Sequence, residues 1–433
     1  MFNTMVTYDT ERLVTLDKTH LWHPFTQMRD WIMPEHEPLV LVSGRGPWLE
    51  DSRGRRYLDG NSSIWTNIHG HGHPTLNQAI RDQLKAVAHT SFLGFTNPRA
   101  IELAERLVTL LPGSPLSKVF FSDNGSTAIE VAIKMSVQYF LQNSRSEKIG
   151  FVAFDNAYHG DTLGAASVGG ISIFHDRFKS YQFPVTHIGS VEELAGIDGS
   201  TIAGLVVEPL IQGSAGMQLW PAGMLKKLRA WCDKYDVFLI FDEVMTGFGR
   251  TGRWFALEHE NVYPDFLTIA KGLTGGYLPL AATLTTKRVF DGFLGRYEDL
   301  KTLFYGHTYT GNALGCAVAL ANLSIFEEER TLERLQPKIR HLSEQLKSLE
   351  KVPYVRMVRR CGFIVGIELA RSENEPFDWL QQMGTKVCVA ARKHGLLTRP
   401  IRDVVVLMLP FCVTNSEIDL AIAAIEAGVR EVC

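Results

Sequence analysis

VFLIFDEVMTGFGRTGRWFALEHENVYPDFLTIAKGLTGGYLP, residues 237–279, holds two short apolar runs that each end in charge. Val237–Phe241 runs directly into Asp242 and Glu243. Phe266–Ala270 runs into Lys271, 29 residues after Asp242, with Gly272, Gly275 and Gly276 just beyond. Runs this short, apolar and rich in β-branched and aromatic residues are strands buried on both faces. In an open α/β sheet ligands sit beyond the carboxyl ends of the strands, which is where Asp242 and Lys271 fall.

Working outward, further strands are expected at Lys118–Phe121, Phe151–Phe154 and Ile202–Val207, with helices over Thr127–Leu141 and Ala222–Tyr235. The alternation predicts an α/β fold whose mostly parallel sheet fills residues 75–325. Residues 326–433 read as a small α+β domain. It has a charged helical stretch (Glu327–Lys351), a strand (Gly362–Leu369), a helix (Trp379–His394), the run Val404–Leu409 and a last helix from Ser416. Residues 1–74 carry Gly44, Gly46, Pro47, Gly54 and Gly60 around short strand patterns, and are expected to pack on the small domain and on a partner subunit.

Composition narrows the class. A chain of 433 residues is long enough for two lobes, and 45% hydrophobic with 21% charged residues is ordinary for a globular protein. A net charge of -3 offers no attraction for nucleic acid or an acidic membrane. No apolar run approaches a membrane span, and Glu11, Arg12, Asp17 and Lys18 interrupt any signal-peptide core. Cys232, Cys316, Cys361, Cys388, Cys412 and Cys433 are scattered without CxxC spacing, as in a cytoplasmic protein with reduced thiols.

A carboxylate at a strand end can hold a protonated ring nitrogen, and a desolvated lysine can reach an aldehyde. Asp242 and Lys271 together therefore suit pyridoxal 5'-phosphate (PLP), although either alone also reads as a solvated turn. The segment FSDNGST (121–127) follows a strand and opens a helix, with Thr127 and Glu130 as a capping box. Gly125 and Ser126 would there offer amides and a hydroxyl to a phosphate. NAYHGD (156–161) supplies Tyr158 as a flat ring, and GHTYTGN (306–312) a second polar loop for phosphate.

Two motifs point elsewhere. Gly247–Gly252 matches GxGxxG, the mark of a nicotinamide oxidoreductase, but no helical stripe follows it. His69, His71 and His73 form HxHxH without a nearby carboxylate or cysteine, so structural or substrate-lining histidines are the better expectation than metal.

Phe241–Pro279 closely resembles the signature of class III aminotransferases, which are fold-type I PLP enzymes, and the similarity extends over nearly the whole chain. The resemblance implies a seven-stranded, mostly parallel sheet and a homodimer with shared sites. It makes Lys271 the Schiff-base lysine, Asp242 the pyridine-nitrogen partner and Gly125 and Ser126 the phosphate loop. Tyr158 becomes the stacking aromatic and Glu208 a residue near the cofactor. His307 and Thr308 would reach the phosphate in the neighbouring subunit.

LWHPFTQM (21–28), GNSSIW (60–65), YHGD (158–161) and TRP (398–400) look like the 7,8-diaminononanoate synthase branch of biotin biosynthesis. That branch aminates 8-amino-7-oxononanoate, and the resemblance puts Phe25, Ile64, Trp65, Tyr158, Lys271, Gly306 and Arg399 at substrate. Arg399 suits a carboxylate through bidentate pairing. Ile64 and Phe25 stand where many members have Trp and Tyr, so the amino donor is S-adenosylmethionine or lysine. Another class III ω-aminotransferase is the alternative reading.

Overall fold

The computed structural model describes residues 8–433, so the first seven residues of the expected N-terminal segment lie outside it. Its centre is a seven-stranded sheet: β1 (Leu116–Ser122), β2 (Gly150–Phe154), β3 (Val185–Ile188), β4 (Ile202–Val207), β5 (Phe238–Asp242), β6 (Phe266–Ile269) and β7 (Ala281–Thr286). The spatial order is β1-β7-β6-β5-β4-β2-β3. Only β7 runs antiparallel to its neighbours, β6 and β1; the remaining pairs are parallel. Six strands therefore point the same way, and their carboxyl ends share one edge.

Burial explains why the sheet forms. Every residue of β4, β5, β6 and β7 is buried, so these strands need apolar or small side chains on both faces. Two strands escaped the periodicity reading. β7 is Ala-Ala-Thr-Leu-Thr-Thr, too rich in alanine and threonine to look like a buried run, and β3 is a four-residue outer strand with two exposed side chains.

The N-terminal strands Leu41–Arg45, Trp48–Asp51 and Arg56–Asp59 form an antiparallel meander. Its last strand pairs in parallel with Leu396–Leu397, so the beginning of the chain joins the C-terminal lobe. That lobe has a second antiparallel sheet (Val355–Cys361, Ile364–Leu369, Val404–Leu407 and Pro400–Ile401) backed by Thr331–Leu349, Met383–Lys393 and Asn415–Val432. The charged stretch from Glu327 is not one helix. Ala313–Glu328 ends there, Arg330 takes a φ of 50°, and a new helix starts at Thr331.

The GxGxxG match is overturned as a dinucleotide loop, because residues 244–253 are turns and bends followed only by a four-residue 3-10 helix, Ala256–His259, and no α-helix opens there. Its arginine is instead a buried tie: Arg250 donates to the carbonyls of Leu409 at 2.8 Å and Asn67 at 3.0 Å and covers the Phe411 ring at 5.0 Å. Arg250→Ala would strand both acceptors and open a cavity, so about 3–5 kcal/mol of stability should be lost. A chemical-denaturation midpoint checks this.

The three histidines go to separate partners. His69 is buried against Phe326 and held neutral, its pKa pushed down to about 3 by burial and by His73. His71 lies between Asn67 and Asp59, and His73 faces Glu329. All six cysteines are free, and no described helix is long and apolar enough to cross a membrane.

Candidate active site

The shared edge of the sheet opens into a cavity of about 740 Å³. Trp65, Gly125, Ser126, Tyr158, Glu208, Asp242 and Lys271 all line it. Adjacent parallel strands bring three of them together: Glu208 follows β4, Asp242 ends β5 and Lys271 follows β6.

Lys271 leaves its strand with φ of 44°, a left-handed conformation that an L-residue adopts at a cost. Its Nζ lies 4.8 Å from the centroid of the Trp65 ring. Desolvation lowers its pKa, with Asp242 and Glu208 pulling the other way and Arg250 reinforcing the fall. The result is an amine more readily neutral, and so more nucleophilic, than an exposed lysine.

Asp242 is 5% exposed and held on both oxygens. Oδ1 accepts the Val244 N–H at 3.1 Å, and Oδ2 lies 2.8 Å from Nδ1 of His159. The His159 side chain is fully buried, and its Nε2 has no protein partner among the described residues. Reading the sequence missed His159. The available signal was its place beside Tyr158 in a polar loop after a strand, but only the fold shows that this loop meets β5.

Glu208 accepts the N–H groups of Tyr158 at 3.2 Å and Gly213 at 2.9 Å. Burial pushes its carboxyl up to about 7, against the pull of His159 and with a push from Asp242. Tyr158 donates its hydroxyl to Asp161 at 2.7 Å, and burial together with that carboxylate holds the phenol well above its ordinary pKa. Glu243, by contrast, turns away to accept from Thr246, Ala256 and Leu257, which makes it an anchor for the following loop.

At the far end, the 18-residue helix Gly125–Gln142 points its N-terminus at the cavity. The capping box sits earlier than expected. Asn124 is the cap, its Oδ1 accepting from the Thr127 N–H at 3.0 Å while Thr127 Oγ1 accepts from the Asn124 N–H at 3.1 Å. Glu130 is not part of the box; it accepts from Thr162 at 2.6 Å and Gly164 at 2.8 Å. Ser126 and Thr162 hydroxyls meet at 2.7 Å, tying the helix start to the Tyr158 loop. A Cβ on Gly125 would come within 2.7 Å of Val244, and one on Gly160 within 2.4 Å of Ser126, so both glycines are required by close packing.

A nucleophilic amine, a strand-end carboxylate and a glycine-lined helix N-terminus around one cavity form a donor set that fits PLP. The remaining expected site residues lie outside it. Phe25 is exposed and packs edge-on against Phe174 at 5.2 Å, and Ile64 is exposed beside Trp65. Arg399 opens into a separate cavity of about 620 Å³, which Arg392 and Arg402 also line. Gly306 and Thr308 are exposed, and His307 Nδ1 faces Asp123 of its own chain at 3.4 Å.

Residues 32–429 match the family model for aminotransferase class-III. The chain is 46% identical to the adenosylmethionine-8-amino-7-oxononanoate aminotransferase of Geobacter sulfurreducens, across 99% of each. A solved structure of the enzyme of that name from Methanocaldococcus jannaschii superposes with a TM-score of 0.96 at 39% identity, covering 98% of this chain and 100% of that one. A PLP-bound amine transaminase from an uncultivated Pseudomonas species gives 0.89 at 32% identity, covering 96% and 99%. The fold is thus that of a fold-type I transaminase. Within that class the chain belongs to the class III aminotransferases, and the nicotinamide oxidoreductase reading falls.

Proposed function

We propose that this aminotransferase uses PLP to convert 8-amino-7-oxononanoate into 7,8-diaminononanoate for biotin biosynthesis, with S-adenosylmethionine or lysine as amino donor. The observation that carries the reading is full-length identity of 44–46% to relatives bearing that name, laid over a cavity that holds both Lys271 and Asp242.

Bound PLP supplies a carbonyl for the substrate amine and a ring that withdraws electrons from the carbon losing its proton. Asp242 would hold a proton on the ring nitrogen, and His159 fixes the orientation of that carboxylate. Gly125 and Ser126 receive the phosphate at the helix N-terminus, where amides and dipole favour an anion. Tyr158 would offer its ring face to the cofactor, and Glu208 braces Tyr158 through the Tyr158 amide. Lys271 would hold the cofactor through its carbonyl, and its amine is the group placed to take up and return a proton at the substrate carbon, as base and then acid.

Arg399 suits the carboxylate of the nine-carbon acceptor. Phe25, Ile64, Trp65 and Gly306 border the substrate path. His307 and Thr308 are assigned to the phosphate of a second subunit. Exposed Leu93, Phe95, Tyr297 and Phe304, each at least 70% accessible, support a homodimer that covers them.

The test supplies 8-amino-7-oxononanoate with each donor in turn and follows the diamine. Formation of the diamine with one donor and not the other identifies the donor. Turnover of simple ω-amines with no diamine from either donor sinks the biotin reading and leaves the ω-aminotransferase one, which the likeness to the amine transaminase favours.

A further inference from the structure

Transamination leaves the HGHGH and GFGRTG motifs without a role, yet hydrogen bonds connect both to the wall of the cavity. Ser62, Ser63, Ile64 and Trp65 have φ values of 43°, 49°, 68° and 67°. Four L-residues in succession in the left-handed region crowd each Cβ against the following carbonyl, and such a turn persists only where its surroundings hold it.

The holding groups are specific. Asp59, 2% exposed, accepts the Ser63 N–H on Oδ1 at 3.0 Å and the Ser63 hydroxyl on Oδ2 at 2.9 Å. Ser62 donates its hydroxyl to the Met408 carbonyl at 2.6 Å, and the Trp65 indole N–H donates to Asn61 Oδ1 at 2.8 Å. Asp59 is itself steadied by His71 Nε2 at 2.9 Å, whose Nδ1 meets the Asn67 amide at 3.0 Å. The Asn67 carbonyl accepts from Arg250 of the GFGRTG loop. The chain of contacts ends at the Trp65 ring, 4.8 Å from Lys271 Nζ.

We propose that Asp59 and Ser63 are positioning residues, which lock the left-handed turn so that the face of Trp65 lies against the Lys271 amine and sets its charge. This rests on Lys271 as the reactive amine and is independent of which substrates the enzyme takes. The physics is a cation–π contact: the ring face favours the ammonium form, opposing the desolvation around it. Leucine keeps an apolar side chain beside the amine, so Trp65→Leu removes the ring's attraction while largely preserving the desolvation.

The test uses the cofactor-free protein. Reductive methylation with formaldehyde and cyanoborohydride is run across pH, and labelling of Lys271 is followed by peptide mass spectrometry. Trp65→Leu should lower the labelling midpoint by about half to one pH unit, the size of a partly desolvated cation–π contact. Asp59→Asn and Ser63→Ala should move it in the same direction by less, while the surface change Arg53→Gln leaves it in place. An unmoved midpoint in Trp65→Leu overturns the role of the ring. A shift in Trp65→Leu with none in the other two overturns the clamp. If Asp59→Asn fails to fold, Ser63→Ala decides, since it deletes a single hydrogen bond. No amino donor or acceptor enters the assay, so its outcome stands apart from the biotin reading.

Discussion

Lys271→Ala should abolish transamination, with turnover falling by on the order of 10⁴-fold or more, while the protein stays folded. Proton transfer by a positioned group contributes about 10²–10⁴-fold, and loss of the anchoring amine adds to it. Lys271→Arg should not rescue activity, because a guanidinium stays charged and cannot act as the amine does. Stability should move the other way. Burial lowers the lysine's pKa, so the folded state is penalised for carrying its charge. That penalty is complete below the folded pKa and fades as pH rises towards the unfolded value of about 10.4. Lys271→Ala should therefore melt at the same or a higher temperature near neutral pH, with the difference vanishing in alkali. Wild-type turnover in Lys271→Ala would end the proposed assignment.

The strand ends were legible because two physical signals coincide there, a continuous apolar run and an abrupt charge. Asp242, Lys271 and Glu208 all came from that pattern or from the resemblance built on it, and all line the cavity. What was hidden depended on partners distant in sequence. β7 is buried through small residues instead of large apolar ones, so its composition carried no strand signal. Glu130 fits a capping box by spacing, but Thr162 and Gly164, more than thirty residues on, claim its carboxylate. Arg250 reads as part of a nucleotide loop until Leu409 and Asn67 are brought beside it. Arg399 lines a separate cavity from Lys271, a separation that no local sequence pattern carries.

Asp242→Asn should cost about 10²–10³-fold in turnover with little change in fold. The substitution preserves shape and one acceptor oxygen, so the Val244 amide and His159 can each still find a partner by small rotations. What it removes is the negative charge that, in the proposed mechanism, would hold a proton on the ring nitrogen, and losing about 3–4 kcal/mol of such stabilisation corresponds to that rate change. Asp242→Ala should be worse for folding. It would leave the fully buried His159 with neither ring nitrogen paired, at a cost of about 1–3 kcal/mol. A double-mutant cycle separates the two roles of the pair. If His159 acts through Asp242, then His159→Gln should slow the wild type by several-fold and the Asp242→Asn variant scarcely at all. Equal slowing in both backgrounds would mean that His159 contributes on its own account, and the carboxylate would then need no orienting partner.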